Sequence, residues 1–358
     1  MKLISRSSAA KALSLAAVSA LVLSGCAAAP DEDAGVEPGS VDFLACAVSD
    51  EGSWLDKSFN EAVYTAMQQA ETELGVTIQT LESASSEAFE PNLNSLVEAG
   101  CDIIVANGFL IGDALAKVSS ENPDVNFALV DGSVADSTNV KPLFFETAES
   151  AFLAGYAAAD FSKSKVIGTY GGVPIAPVTD FMTGYYFGAQ QWAADNETPV
   201  EVLGWDPADP DSGAFMGNFD ANSEVSKNIA LTQLNDGADV ILPVAGNQFT
   251  AVTTAIDEVN PDAVMLGVDL DVAGNNADIA PYILTSIEKR MTVAVFGLIE
   301  SLVNGAAFDV TPYVGTLENK GTAISSFRDF EADLSADLAA RLEELQTGIA
   351  DGTYKPKG

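Results

Sequence analysis

The sequence predicts an α/β protein built as two doubly wound parallel-sheet lobes, and three observations predict it. Short β-rich runs alternate with longer helical patterns, which implies βαβ units and a parallel sheet. The alternation occurs twice in tandem. The carboxyl-terminal stretch left over is too small for a third domain, so it completes the first two by crossing between them.

In the first series the runs "VDFLACAV", "VTIQTL", "CDIIVAN" and "VNFALVD" read as strands. Helices are predicted near Lys57 to Leu74, Ser86 to Ala99 and Gly112 to Glu121. The second series opens with the helical "AESAFLAGYAAADFSK", the strand "KVIGTYGG", the helix "APVTDFMTGYYFGAQQWAA" and then "VEVLGW". A helix from about Asn222 to Asn235, the strand "ADVILPVAG", a helix ending at Val259 and the strand "AVMLGVD" follow. Beyond Asp269, "YILTSIEKRMTVAVFGLIESLVNG" is a strand passing into a long helix, and the chain closes with "YVGTLENKGTAIS" and an acidic helix from about Leu334. The expected boundaries are 41–147 plus about 287–310 for lobe 1, and 148–286 plus about 311–358 for lobe 2. Several hinge strands then join the lobes, with a cleft at the carboxyl ends of both sheets.

Residues 1–25 carry Lys2, Arg6 and Lys11, no acid, and the apolar run "ALSLAAVSALVLSG", the pattern of an export signal. The run is too short to read as a membrane span. It ends in Leu23-Ser24-Gly25-Cys26, which is similar to the lipobox of bacterial lipoproteins and implies acylation of Cys26. Residues 26–40, rich in Pro, Gly and acids, read as a tether from that anchor to a fold beginning near Val41.

The whole chain carries 16 basic and 52 acidic residues. Losing the signal removes 3 bases and no acid, leaving 13 − 52 = −39. So negative a surface excludes nucleic acid as a partner and says little about the fold. Histidine is absent, which removes the usual general base and the commonest zinc ligand. No metal or cofactor is called for, and a monomer is expected. Cys46 and Cys101 fall on the first and third strands, neighbours in the commonest open α/β order, so they either pair in an oxidising exterior or stay as two buried thiols.

The stretch "EGSWLDKSFNEAVYTAM" sets Phe59 at the mouth of a helix among polar residues. Ser58-Phe59-Asn60-Glu61 fits a capping box, with Ser58 accepting from the Glu61 amide and Glu61 reaching back. Phe59 then either starts an apolar stripe with Val63, Met67, Ala70 and Leu74, or offers an exposed ring on which a flat ligand stacks.

"DKSFNEA", "AFLAGYAAA", "VIGTYGG", "DVILPVAG", "GVDLD" and "TSIEKR" occur in the order and spacing of the basic membrane protein family. The chain resembles that family, the purine nucleoside receptor type of substrate-binding lipoproteins of ABC transporters, from Val41 to about Ser325. The resemblance implies a type I periplasmic-binding-protein fold and a nucleoside held between two phenylalanines, one from each lobe, for delivery to an ABC permease at the extracytoplasmic face of the cell membrane. It assigns Phe59 as the first ring, with Asp56 and Asn60 in the same loop. The second ring falls on Phe219 in "GNFDANSE", with Phe215 as its competitor. The remaining family positions fall on Asp131, Gly246, Asp269 and Lys289.

Asp269 and Lys289 suit ribose contacts, since a carboxylate at a strand end accepts vicinal hydroxyls. No P-loop or G-x-G-x-x-G follows a strand, so a neutral nucleoside suits the cleft better than its phosphate. Other readings are weaker. Ser286-Ile287-Glu288-Lys289 is an S-x-x-K, but its serine-hydrolase companions are missing, so no enzyme is expected. Asp206, Asp209 and Asp211 in one loop, and Asp269 and Asp271 in another, lack calcium-loop spacing. A sugar or autoinducer receptor of the same fold, or a ligand-sensing surface lipoprotein without transport, is the alternative function.

Overall fold

The computed structural model describes residues 37–358. The expected export signal, Cys26 and most of the expected tether lie outside the described residues. Glu37 to Ser40 are exposed, and ordered pairing begins with the first strand.

In lobe 1 the elements run β1 (Leu44–Glu51), α1 (Phe59–Gln69), β2 (Thr77–Ser83), α2 (Phe89–Ala99), β3 (Ile103–Asn107), α3 (Gly112–Glu121), β4 (Phe127–Val130) and β5 (Val140–Phe145). In lobe 2 they are α4 (Thr147–Phe161), β6 (Val166–Gly171), α5 (Ala176–Asp195), β7 (Glu201–Leu203), α6 (Glu224–Asn235), β8 (Val240–Val244), α7 (Phe249–Val259), β9 (Val264–Asp269), α8 (Val272–Asn275) and β10 (Ile283–Lys289). The chain returns to lobe 1 for α9 (Met291–Val303) and β11 (Tyr313–Gly315), then to lobe 2 for β12 (Thr322–Ile324) and α10 (Leu338–Ala350).

The sheet orders are β11-β5-β4-β3-β1-β2 and β12-β10-β9-β8-β6-β7. All neighbours pair in parallel except β12, which lies antiparallel to β10. The central strands β3, β4, β8 and β9 are buried along their whole length, as a sheet covered by helices on two sides requires. Helices α1 and α9 cover one face of the first sheet, with Val63, Met67, Met291 and Val295 in its core. On the other face, Leu93 and Leu96 of α2 and Leu115 and Val118 of α3 pack with Ile104 and Leu129. Lobe 2 repeats the plan, with α4, α5 and α10 on one face and α6, α7 and α8 on the other.

Two expected boundaries are corrected. Residues 311–315 belong with lobe 1, because β11 pairs with β5 through Tyr313 opposite Leu143. Residues 287–289 belong with lobe 2, because β10 runs to Lys289 beside β9 and β12. The chain crosses three times, at Glu146, at Arg290 and over residues 316–321. The crossings touch: the Glu146 amide donates to the Gly315 carbonyl (2.8 Å) and the Arg290 amide to the Gly321 carbonyl (3.0 Å). A side chain at Gly321 would come within 2.2 Å of Gly315 Cα, so this junction needs glycine for close approach. Cys46 and Cys101 are joined by a disulfide, Cα to Cα 5.9 Å, which ties β1 to the residues entering β3.

Candidate functional site

The loops at the carboxyl ends of both sheets face one another across a cavity of about 710 Å³. In each sheet the strand order reverses beside its first strand, which opens a crevice there. All eight residues expected at the site, Asp56, Phe59, Asn60, Asp131, Phe219, Gly246, Asp269 and Lys289, line this single cavity.

The loop after β1 is built by Asp56. Its Oδ1 accepts from the amides of Ser58 (2.9 Å) and Glu61 (3.0 Å), and its Oδ2 accepts from the Asn60 amide (2.9 Å). Asp56 therefore caps α1, and the predicted capping box is corrected. Glu61 does reach back, but it takes the amide of Lys57 (2.8 Å), at a residue whose φ of 58° turns the chain through the left-handed region. Released from capping, the Ser58 hydroxyl donates across the cleft to Asp269 Oδ2 (2.7 Å). Asn60 is buried and accepts from Asn107 Nδ2 through Oδ1 (2.9 Å). Its own Nδ2 has no protein acceptor among the described residues.

The ends of β4 and β9 are equivalent positions in the two lobes, and both hold an aspartate in the left-handed region. Asp131 has φ 61° and Asp269 has φ 69°. A non-glycine residue there costs roughly 1 kcal/mol, and such strain gathers at binding sites. Each aspartate reaches the opposite lobe: Asp269 accepts from Ser58, and Asp131 accepts from Lys289 Nζ at 2.6 Å. The lobes are thus bridged at the inner end of the cavity.

Burial governs the charges. Asp269 is pushed up to about 6 by burial, with Lys289 and the Ser58 hydrogen bond pulling the other way. Burial also raises Asp131, again opposed by Lys289. Asp56 is raised by burial against the three amides it accepts. Asp50, at the end of β1, is held well above the usual carboxylate range by burial and by Asp56, Asp131 and Glu51. One ammonium therefore serves a nest of carboxylates.

The two rings come from opposite lobes. Phe59 packs partly on the lobe 1 core and partly on the cavity, so the core and exposed readings each hold for one side of it. Lys289 Nζ lies 5.3 Å from its ring centroid and 5.2 Å from that of Phe181. Phe219 lines the cavity from the other side and rests on Gly172, where an added Cβ would come within 2.3 Å of its ring. Phe215, the other candidate, stands edge-on to Trp205 at 6.0 Å and pairs through its backbone with Gly171. Gly246 takes φ 67° with open space beside it, which lets its backbone border the cavity.

Sequence reasoning missed Asp50 and Phe181. Asp50 sits at the carboxyl end of the first strand, a position the topology marks, but it reads as one acid among many. Phe181 lies inside a predicted helix and is 2 % exposed, so periodicity assigns it to the core.

The comparisons with known proteins agree with this fold. The Bmp family, described as "ABC transporter substrate-binding protein PnrA-like", matches residues 43–311. The chain is 28 % identical over 354 residues to the "ABC transporter nucleoside-binding protein BmpA" of Lactococcus lactis, covering 92 % of this chain and 95 % of that one. It is 30 % identical over 262 residues to an uncharacterized lipoprotein of Pyrococcus abyssi, covering 72 % of this chain and 62 % of that one. An ABC transporter solute-binding protein of Aeropyrum pernix superposes with a TM-score of 0.77 at 26 % identity, covering 87 % of this chain and 92 % of that one. With its two parallel-sheet lobes of the periplasmic-binding-protein fold, the chain belongs to the Bmp family of PnrA-like ABC transporter substrate-binding proteins.

Proposed function

We propose that the cleft binds a nucleoside, with a purine the best fit, and that the chain delivers it from a lipid anchor on Cys26 to an ABC permease. The observation that carries this reading is the pair Phe59 and Phe219, supplied by opposite lobes to one cavity. A purine has two apolar faces and a polar edge, and stacking is worth about 1–3 kcal/mol per base in comparable aromatic sites. Asp131, Asp269 and Lys289 form a buried polar end that suits ribose hydroxyls. Asp50 and the free Nδ2 of Asn60 suit a base edge, one as acceptor and one as donor. Stacking and a few hydrogen bonds reach a micromolar dissociation constant, about −8 kcal/mol, after the costs of ordering.

Supporting the ligand class is the Lactococcus relative, named a nucleoside-binding protein. Supporting the anchor is the lipobox-like Leu23 to Cys26, together with the Pyrococcus relative, named a lipoprotein. The test is a thermal-shift screen of residues 37–358 against nucleosides, free bases, pentoses and hexoses. Nucleosides should raise the melting temperature most. Stabilisation by a hexose or pentose with none by nucleosides would move the protein to the sugar-receptor class.

A further inference from the structure

The cavity is larger than its proposed occupant and changes character along its length. At interior packing density a purine nucleoside of about twenty non-hydrogen atoms fills roughly half of such a space. The surplus is not an open-cleft effect, because Ser58–Asp269 and Lys289–Asp131 already bridge the lobes. The bridged end is polar and closed, with Lys289 2 % exposed. The other end is open, and its exposed lining sets two large apolar side chains among carboxylates. Leu55, in the loop after β1, is 68 % exposed, and Phe109, in the loop after β3, is 46 % exposed; both line this cavity.

Among the described residues only five large hydrophobic side chains are exposed, and these are two of them. Leaving them in water forgoes burial worth about 25 cal/mol per Å². An occupant reaching the mouth recovers it. Phe109 follows Gly108, which packs against Asp50, the carboxyl group assigned above to the base edge, so a substituent on that edge starts beside Phe109. The carboxylates of Glu51, Glu82 and Asp220 also line the cavity and disfavour an anionic group.

Resting on the nucleoside reading, we infer that Leu55 and Phe109 form a subsite for an uncharged apolar substituent on the base, so that base-alkylated or base-arylated nucleosides are ligands of this receptor. The test is calorimetric titration with two matched pairs: adenosine with N6-benzyladenosine, and guanosine with N2-benzylguanosine. N6-(4-carboxybenzyl)adenosine serves as the charged control.

In at least one pair the benzylated member should bind about threefold or more tighter than its parent, and the carboxylated one about tenfold weaker than its benzyl counterpart. In Leu55→Ser and Phe109→Ser the advantage of the benzyl group should vanish while the parent's affinity holds. Benzylated members binding no tighter than their parents in both pairs would overturn the subsite and leave the nucleoside reading intact. So would a benzyl advantage that survives both substitutions, or a control as tight as its benzyl counterpart. If neither parents nor derivatives bind, both readings fall together.

Discussion

At Asp269 the carboxyl titrates near 6 in the fold and near 3.8 outside it, so the native state holds its proton more tightly than the unfolded chain does. Its contribution to the stability of the ligand-free protein is full below about pH 4 and is lost as pH rises through 6. Asp50, Asp56 and Asp131 are shifted the same way and add to the trend. A carboxylate accepting ribose hydroxyls must be ionised. Nucleoside affinity should therefore weaken as pH falls through 6, and calorimetry in buffers of different ionisation heat should show proton release on binding there. Asp269→Asn should flatten that dependence and weaken ribonucleosides more than free bases; an unchanged pH profile would remove Asp269 from ribose recognition. Six of the eight assigned residues were legible because the quoted motifs carry them, whereas Asp131 and Phe219 lie outside those motifs and rest on the family resemblance alone. Asp50 was not legible, since one acid in 52 stands out only when the fold brings it to the cleft.

The helix α1 shows what spacing alone can and cannot say. Its start was legible within a residue or two, but its cap was misread: Ser-x-x-Glu has the right spacing, and only three dimensions reveal that Asp56 takes the amides. Asp56→Ala should cost about 1–2 kcal/mol in chemical denaturation, the upper range for a lost cap, because several amides lose their acceptor together. Ser58→Ala should leave the cap intact. Strand β5 escaped the sequence reading, since Lys141 and Pro142 interrupt an apolar run and an interior proline argues against a strand. In the fold "VKPLFF" lies between β4 and β11 all the same. The bridge between Cys46 and Cys101 closes a separation of 55 residues, so replacing both by serine should destabilise lobe 1 by roughly 4 kcal/mol on chain-entropy grounds. Equal melting temperatures with and without reductant would contradict that.

Across the whole molecule, the tandem lobes and the return of the last 70 or so residues to both of them were legible, whereas the residues at which the chain crosses were not. Three-residue strands such as β11 carry too little periodicity to reveal which sheet they join; only the partner, Leu143 of β5, decides it. The same crossings place Lys289 beside Asp131, a buried pair spanning the lobes. Lys289→Met should destabilise by about 3–5 kcal/mol, because Asp131 is left buried and unpaired, and adding Asp131→Asn should restore much of the loss.

Whether the two lobes hold a nucleobase between Phe59 and Phe219 is decided by calorimetric titration of the wild type, Phe59→Ala and Phe219→Ala with a purine nucleoside. Each truncation should raise the dissociation constant at least about tenfold, the worth of one lost stacking face, while Phe215→Ala changes it little. Undiminished affinity in both alanine variants would contradict the account.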